Sequence, residues 1–477
     1  MSVKIDTRPL PLVILSRWWR FPVYVVLGYF LYWVAHLNPP SGLSVEGFRT
    51  LAVFITCLIL WVFHLLPLPI TGLFALVAPA LMGVMPAKKA FTFFGTEPVF
   101  FILGVFILAA ALLKSGLSTR MALKILKSAG HSPRRLILQI MIASALLSFI
   151  MSEHAVAAMM FPLVLVIVKA LDYTPEGGSY GKLLFLAMAW GCVVGGIATL
   201  LGGGRVPLAI GILQDAGYPP ITFIEWSLAV FPVVIILFVE VYFLLTRYYS
   251  IDVDTVEKAD EVITNKVREM GLMSLEERFL LVLTTAAIFS WMVFGNKIGM
   301  ASISILVVVL LFMFRVVSWK DLQDNVDWGI ILMYGGAIGI SSILNSTGAG
   351  QWLADTYLVP HLHSPWMLIA LLSLVTILLT EAMSNSAVVA ILVPLGITMA
   401  PAMGLDPKVV VYAVASASGL AYALPMSTPS VAIAYSSGFL KFKDVMAPAI
   451  ILTVTSWFIL LLTARFWWPV LGVKIGS

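Results

Sequence analysis

Apolar runs of some 16 to 24 residues follow one another along nearly the whole chain, separated by short segments that carry most of its Lys and Arg. A helix needs about 20 apolar residues to cross a bilayer. By that measure the runs predict eleven spans, at 22–37, 48–66, 68–85, 97–113, 182–203, 222–245, 279–294, 298–314, 329–345, 408–426 and 445–467. Two other apolar stretches, 136–169 and 365–400, exceed 30 residues but are interrupted midway, by Phe149-Ile-Met-Ser-Glu-His154 and by Thr380-Glu-Ala-Met-Ser-Asn-Ser386. Two full spans in each would need a two-residue turn with its polar groups at the opposite surface. A re-entrant hairpin puts the polar tip near mid-membrane, where irregular backbone is tolerated only if protein or a water-filled cavity covers it. The hairpin is the preferred reading.

An internal repeat supports it. Ser152, Ala155, Val156, Ala158, Pro162 and Leu163 recur as Ser384, Ala387, Val388, Ala390, Pro394 and Leu395, and Gly104 and Gly116 recur as Gly336 and Gly348, all at an offset of 232. Further on the offset becomes 223, aligning Gly204-Arg-Val-Pro-Leu-Ala-Ile210 with Ser427-Thr-Pro-Ser-Val-Ala-Ile433. The chain divides into a cytoplasmic tail and first span (1–47), a first repeat (48–246), a charged cytoplasmic linker (247–278) and a second repeat (279–477). Five spans plus a hairpin per repeat is an odd number, so the second copy is inverted in the membrane. Paired interruptions in two inverted halves point to a transporter's binding site.

Composition agrees: 61% of the 477 residues are hydrophobic and 11% charged, against roughly 25% charged in soluble domains. Of the 29 Lys+Arg and 24 Asp+Glu, thirteen fall between Arg247 and Arg278. The remainder cannot solvate a soluble surface, so the fold class is an all-α polytopic membrane protein. The net charge of +5 sits in loops that alternation places in the cytoplasm, with the minority pair Lys88 and Lys89 outside. That is the positive-inside pattern and not a nucleic-acid patch. The N-terminus then lies inside and the C-terminus outside, and the tail with Lys4, Arg8, Arg17 and Arg20 reads as cytoplasmic. Lack of a targeting segment suggests a bacterial inner membrane. Cys57 and Cys192 lie in apolar runs, without the spacing of a disulfide framework or a zinc site. Glu97 and Glu240 fall near predicted span ends and read as interfacial.

Four breaks carry the chemistry: the tips at 152–154 and 384–386, Gly202-Gly-Gly204, and the segment holding Pro425 and Pro429. Ser and Asn before an apolar helix can cap its first turn. The free N–H groups and positive dipole end then favour an anion, and unwound carbonyls favour a small cation. Together these are the signature of ion-coupled anion transport. Glu153, His154 and Arg205 are ionisable residues inside apolar runs, expensive in a membrane and functional by default.

At these residues the chain resembles the divalent anion:sodium symporter family, whose mark is Ser-Asn-Thr at each hairpin tip and a Gly/Ala-Thr/Ser-Pro-Pro-Asn-like motif in each following broken span. The resemblance covers nearly the whole length. It implies an elevator mechanism, a hairpin-bearing domain sliding against a dimeric scaffold, with Na+ as coupling ion and no organic cofactor. Ser384-Asn385-Ser386 and Ser427-Thr428-Pro429 keep most of the motifs. By resemblance Thr380, Ser384, Asn385 and Ser427 form a sodium site, with Asn385 and Ser386 also touching substrate; Ser152, Glu153, His154, Arg205, Ser384 and Thr428, at the four breaks, complete the candidate substrate-binding set. In the first half Ser148, Ser152 and Gly204 persist at the position of the family's first sodium site, where Glu153-His154 replaces Asn-Thr and Arg205 replaces a small hydroxyl residue. Leu208 and Val431 stand where the family has Asn. Glu153 and Arg205 sum to zero charge, and a protonated His154, with an unperturbed pKa of about 6.5, would restore +1 and make transport proton-sensitive.

The expectation is a secondary active transporter of small divalent anions, C4-type dicarboxylates first, coupled to sodium and conceivably protons, working as a homodimer in the lipid bilayer without nucleic acid. Sulfate or another oxyanion is the alternative substrate, and sodium-independent exchange the alternative mechanism. An intramembrane enzyme using Glu153 and His154 would have no need of a second, similar tip, and closed tips argue against a passive channel.

Overall fold

The computed structural model describes residues 20–475; the predicted tail with Lys4, Arg8 and Arg17 lies outside the described residues. In chain order the helices are α1 (Phe21–His36), α2 (Val45–Val62), α3 (Leu68–Leu81), α4 (Ala87–Thr92), α5 (Glu97–Lys114), α6 (Leu117–Lys127), α7 (Pro133–Ser148), α8 (Glu153–Ala170), α9 (Tyr180–Gly195), α10 (Arg205–Asp215) and α11 (Phe223–Tyr248). They continue with α12 (Glu257–Glu269), α13 (Leu275–Ile298), α14 (Met300–Met313), α15 (Trp319–Asn325), α16 (Trp328–Ser346), α17 (Ala349–Leu353), α18 (Pro365–Ala382), α19 (Asn385–Ala402), α20 (Pro407–Ala417), α21 (Pro429–Ser436) and α22 (Phe442–Phe466). Among the described residues, β pairing is confined to one isolated bridge, Leu405 to Ile475.

Every predicted span coincides with a helix, because apolar length is the dominant signal. Nine helices among the described residues are long and apolar enough to cross a membrane, and α11, α13 and α22 expose large apolar side chains such as Phe231, Ile235, Phe289, Val454 and Phe458. This is an integral membrane protein. Two spans end earlier than hydropathy alone suggests: α9 stops at Gly195 and α20 at Ala417, and irregular chain runs on to α10 and α21. Glycine and proline in those stretches remove the helical restraint that their apolar character would otherwise support.

Polar residues set the helix starts. Thr222 and Ser274 each accept from the N–H three residues on, while Glu225 and Glu277 return a bond to the cap residue's own N–H, which satisfies donors that a helix start leaves open. Ser132, Ser152 and Ser364 cap α7, α8 and α18 in the simpler way. Ser384 departs from the expectation: its hydroxyl makes no capping bond to α19.

The helix order from α2 to α11 is matched, one for one, by that from α13 to α22. The closest packing joins one half to the other. α3 lies on α16, where a Cβ at Gly72 would come within 2.8 Å of the Met333 Cα and one at Gly336 would enter the Gly72 backbone; α5 lies on α14, where a Cβ at Gly104 would sit 2.5 Å from the Ser304 Cβ. Lipid supplies no hydrophobic drive between helices, so small residues that let backbones touch are what hold such a seam. Beside it, α9 packs on α7, α8 and α21, while α20 packs on α18, α19 and α10. The hairpins of one half therefore stand against the broken segments of both. The charged linker is strapped to the helices: Arg120 reaches Glu277 at 2.7 Å and the Gly271 carbonyl at 2.8 Å, and Asp252 accepts from the N–H groups of Ser179 and Tyr180 at 2.7 and 3.1 Å and from the Tyr173 hydroxyl at 2.9 Å.

Candidate functional site

The two hairpin tips are buried and meet. Met151, Glu153, Met383 and Asn385 are all buried. The Glu153 N–H donates to the Gly202 carbonyl at 2.9 Å, fastening the first tip to the first broken segment. Across the centre, the Asn385 Nδ2 donates to Glu153 Oε1 at 3.4 Å.

Glu153 also takes the Arg205 guanidinium, Nη1 to Oε1 at 3.2 Å. Exposure is 5% for Glu153 and 2% for Arg205, so the pair is shielded from water. An unpaired charge at such depth is costly, which explains why the two occur together. Glycines make the room: a Cβ at Gly203 would lie 2.8 Å from Nη1 and one at Gly419 2.6 Å from Nη2. Among the described residues Glu153 Oε2 and Arg205 Nε and Nη2 have no hydrogen-bond partner. The neighbouring buried Tyr334 hydroxyl stands where a Cβ at Gly204 would be 2.8 Å away.

The second half builds a different cluster from neutral groups. Thr380 Oγ1 lies 2.7 Å from Asn385 Oδ1 and 2.9 Å from the Ser418 carbonyl. One hydroxyl hydrogen serves two acceptors, so the three oxygens present more lone pairs than donors, the arrangement that welcomes a small hard cation. No group of three His, Cys, Asp or Glu suited to a metal occurs among the described residues. Ser384 stands at the tip beside Asn385. The Ser427 hydroxyl donates to the Leu424 carbonyl at 2.6 Å, and Thr428 caps α21 by accepting from the Val431 N–H at 3.4 Å.

Glu381 has a place that its sequence neighbours did not announce. Its carboxylate accepts from three successive backbone N–H groups of the second broken segment, Tyr422 at 2.8 Å, Ala423 at 3.1 Å and Leu424 at 2.9 Å. Successive N–H groups of this kind form an anion-binding nest, here filled by the chain itself. The only hint in the sequence is an acid next to Thr380, in a chain where ionisable residues inside apolar runs are scarce.

Other predicted residues fall differently. His154 is exposed, and among the described residues no hydrogen bond or ion pair joins it to Glu153 or Arg205; one step along a helix turns a side chain by about 100°. Ser152 is taken up by capping, Ala155 N–H to its Oγ at 3.4 Å. Ser148 Oγ is buried without a partner, and Ser386 is buried at the head of α19. Glu240 lies eight residues before the end of the 26-residue α11, where it pairs with Thr455 of α22. Glu97 stays at a helix start, accepting from the Ala301 N–H at 3.4 Å.

Known proteins place this architecture. The chain matches the sodium-dependent dicarboxylate transporter SdcS of Staphylococcus saprophyticus at 28% identity, over 92% of this chain and 90% of that one. It matches SdcS of Staphylococcus aureus strain USA300 at 26%, over 92% and 89%. Two solved structures share the fold, each at a TM-score of 0.53. MtrF of Neisseria gonorrhoeae, described as illuminating a class of antimetabolite efflux pumps, is 14% identical, with 92% of this chain and 96% of that one covered. The YdaH transporter of Alcanivorax borkumensis is 18% identical, with 79% and 87% covered. Residues 15–474 match the pattern of the sodium:sulfate symporter transmembrane region. Together with the all-helical apolar architecture and the paired tips, that match over nearly the whole chain makes this protein a membrane transporter of the sodium:sulfate symporter family.

Proposed function

We propose that the protein is a secondary active transporter that carries a small divalent anion, a C4 dicarboxylate such as succinate, together with sodium. The observation that carries this reading is the meeting of the two tips, where a neutral oxygen cluster suited to sodium lies one residue from the helix start that would receive an anion. Thr380, Asn385 and the Ser418 carbonyl hold the cation, with Ser384 and Ser427 closing the set. The N-terminal ends of α8, α10, α19 and α21 supply dipoles and donors for the two carboxylates, with Ser152, Ser386, Thr428 and the Arg205 guanidinium as the side-chain contributors. The names of the SdcS relatives support both sodium and dicarboxylate.

The same reading takes α2 to α5 and α13 to α16 as a fixed frame and the hairpins with α9, α10, α20 and α21 as a moving body, an elevator formed by two inverted repeats in a homodimer of the bacterial inner membrane. The glycine seams of α3 on α16 and α5 on α14 support a rigid frame. Exposed His154 sits at the first tip.

Uptake of labelled succinate into proteoliposomes under a sodium gradient, a proton gradient or neither tests the proposal. Sodium-driven accumulation is the expected result. Flux only against internal succinate would replace symport by exchange, and failure with succinate but uptake of sulfate would replace the substrate.

A further inference from the structure

We infer that Arg205 is a resident cation, and that its guanidinium makes a first-half sodium ion unnecessary, leaving one sodium per transport cycle. The inference rests on the proposed sodium reading of the second half. The residues that correspond by the two offsets are Ser148 and Thr380, Glu153 and Asn385, Gly195 and Ser418, Gly204 and Ser427, and Arg205 and Thr428. In the second half these positions supply neutral oxygens with lone pairs to spare. In the first half the amide has become a carboxylate and the hydroxyl has become a guanidinium, 3.2 Å apart.

The first half therefore does not fit sodium. A second cation beside Glu153 would meet a guanidinium that is 2% exposed and packed between Gly203 and Gly419, and repulsion between like charges is strong where water is excluded. Glycine at 203 and 419 is what the guanidinium needs on both sides, so the slot is shaped for Arg205. The cation is built in: where a neutral site would gain +1 from a bound ion, this one carries a permanent +1 on Arg205 that Glu153 brings to zero, and Asn385 ties the pair to the second tip. A purely structural salt bridge would share this geometry but would not set the number of sodium ions bound.

Equilibrium binding of radioactive sodium to the purified full chain, in detergent with saturating succinate, reads that number. The wild type is expected to bind one sodium per chain, with a Hill coefficient near 1 for sodium-driven uptake. R205S leaves Glu153 facing an open slot and is expected to bind two, with a Hill coefficient rising toward 2. R205K, which keeps a cation, and E153A/R205S, which removes the carboxylate as well, are expected to stay at one. Two sodium ions in the wild type, or an R205S count unchanged in protein that still binds succinate, would overturn the inference. No sodium in the wild type but one in R205S would uphold Arg205 as the resident cation and sink the second-half site. Should R205S not fold, E153Q decides: the uncompensated guanidinium is expected to weaken sodium binding at the second half about tenfold or more, and unchanged affinity would overturn the inference.

Discussion

Asn385 and Glu153 stand 232 residues apart, the offset that relates the two halves, and they touch, amide to carboxylate, at 3.4 Å. Equivalent positions of the two tips thus face one another at the centre of the molecule, and one of them has become charged. Replacing the amide by a second acid tests this contact. Two carboxylates at that distance cannot both ionise, so N385D is expected to lose most transport at neutral pH and recover it as protons are supplied. Uptake measured between pH 5 and 8 checks this; a profile parallel to that of the wild type would show that the tips separate during transport before the site is loaded.

Glu381 holds three backbone N–H groups of the second broken segment. E381A leaves them without an acceptor, and a lost charge-assisted bond with its partner buried costs roughly 1–3 kcal/mol. The expected result is a lower melting midpoint in detergent and at least a tenfold loss of uptake. E381Q, which keeps one acceptor oxygen, is expected to fall between E381A and the wild type. Equal melting of all three would remove the nest from the account.

The seam between the halves depends on absent side chains. G336A would drive a methyl into the Gly72 backbone, and G104A would bring one to 2.5 Å from the Ser304 Cβ. Overpacking of this kind costs about 1–3 kcal/mol. Both variants are expected to melt lower, whereas G28A, with nothing within 4 Å of the added methyl, is expected to match the wild type.

Asp252 ties the linker to the start of α9 at the water-facing side. Burial raises its pKa, but hydrogen bonds from the backbone of Ser179 and Tyr180 and from the Tyr173 hydroxyl outweigh it, and the net shift is downward. A depressed carboxylate stabilises the fold above its unfolded value, about 3.9, and that contribution disappears as pH falls through the lower folded value. D252N is therefore expected to lower the melting midpoint at pH 7, with the gap to wild type closing only at pH values below the ordinary carboxylate range. A gap independent of pH would assign the effect to packing.

The long apolar helices could be read from apolar length, but not the short or charged α4, α6, α12, α15 and α17; the Gly and Pro residues marked breaks at 202–205 and 425–430, whereas the helices already stop at Gly195 and Ala417. The Glu153–Arg205 pairing was legible because ionisable residues are so scarce in this chain that the two call for each other. What was not legible depends on backbone atoms and helical phase. The Ser418 carbonyl and the N–H groups of residues 422–424 have no side-chain signature, so neither the third oxygen around Thr380 nor the role of Glu381 could be inferred. His154 follows Glu153 in sequence but points elsewhere, and Ser384 keeps its motif without making the capping bond that the motif suggests. Hydropathy marks where a span ends only to within a turn or two: the run predicted to end at residue 245 continues as α11 to Tyr248.

The shortness of α10 bears on how the chain is assembled. Eleven residues make a helix about 16 Å long, too short to enter a bilayer on its own, and its first residue is a buried arginine. The helix cannot be inserted as an independent segment; it must be drawn into place by protein already there. Its partner Glu153 is synthesised earlier, so the ion pair can close as soon as α10 emerges, giving the guanidinium a neutral environment while the second half is still unmade. Asn385 is synthesised later, so the contact between the tips can form only once the second half has emerged, against an ion pair that the first half supplies by itself.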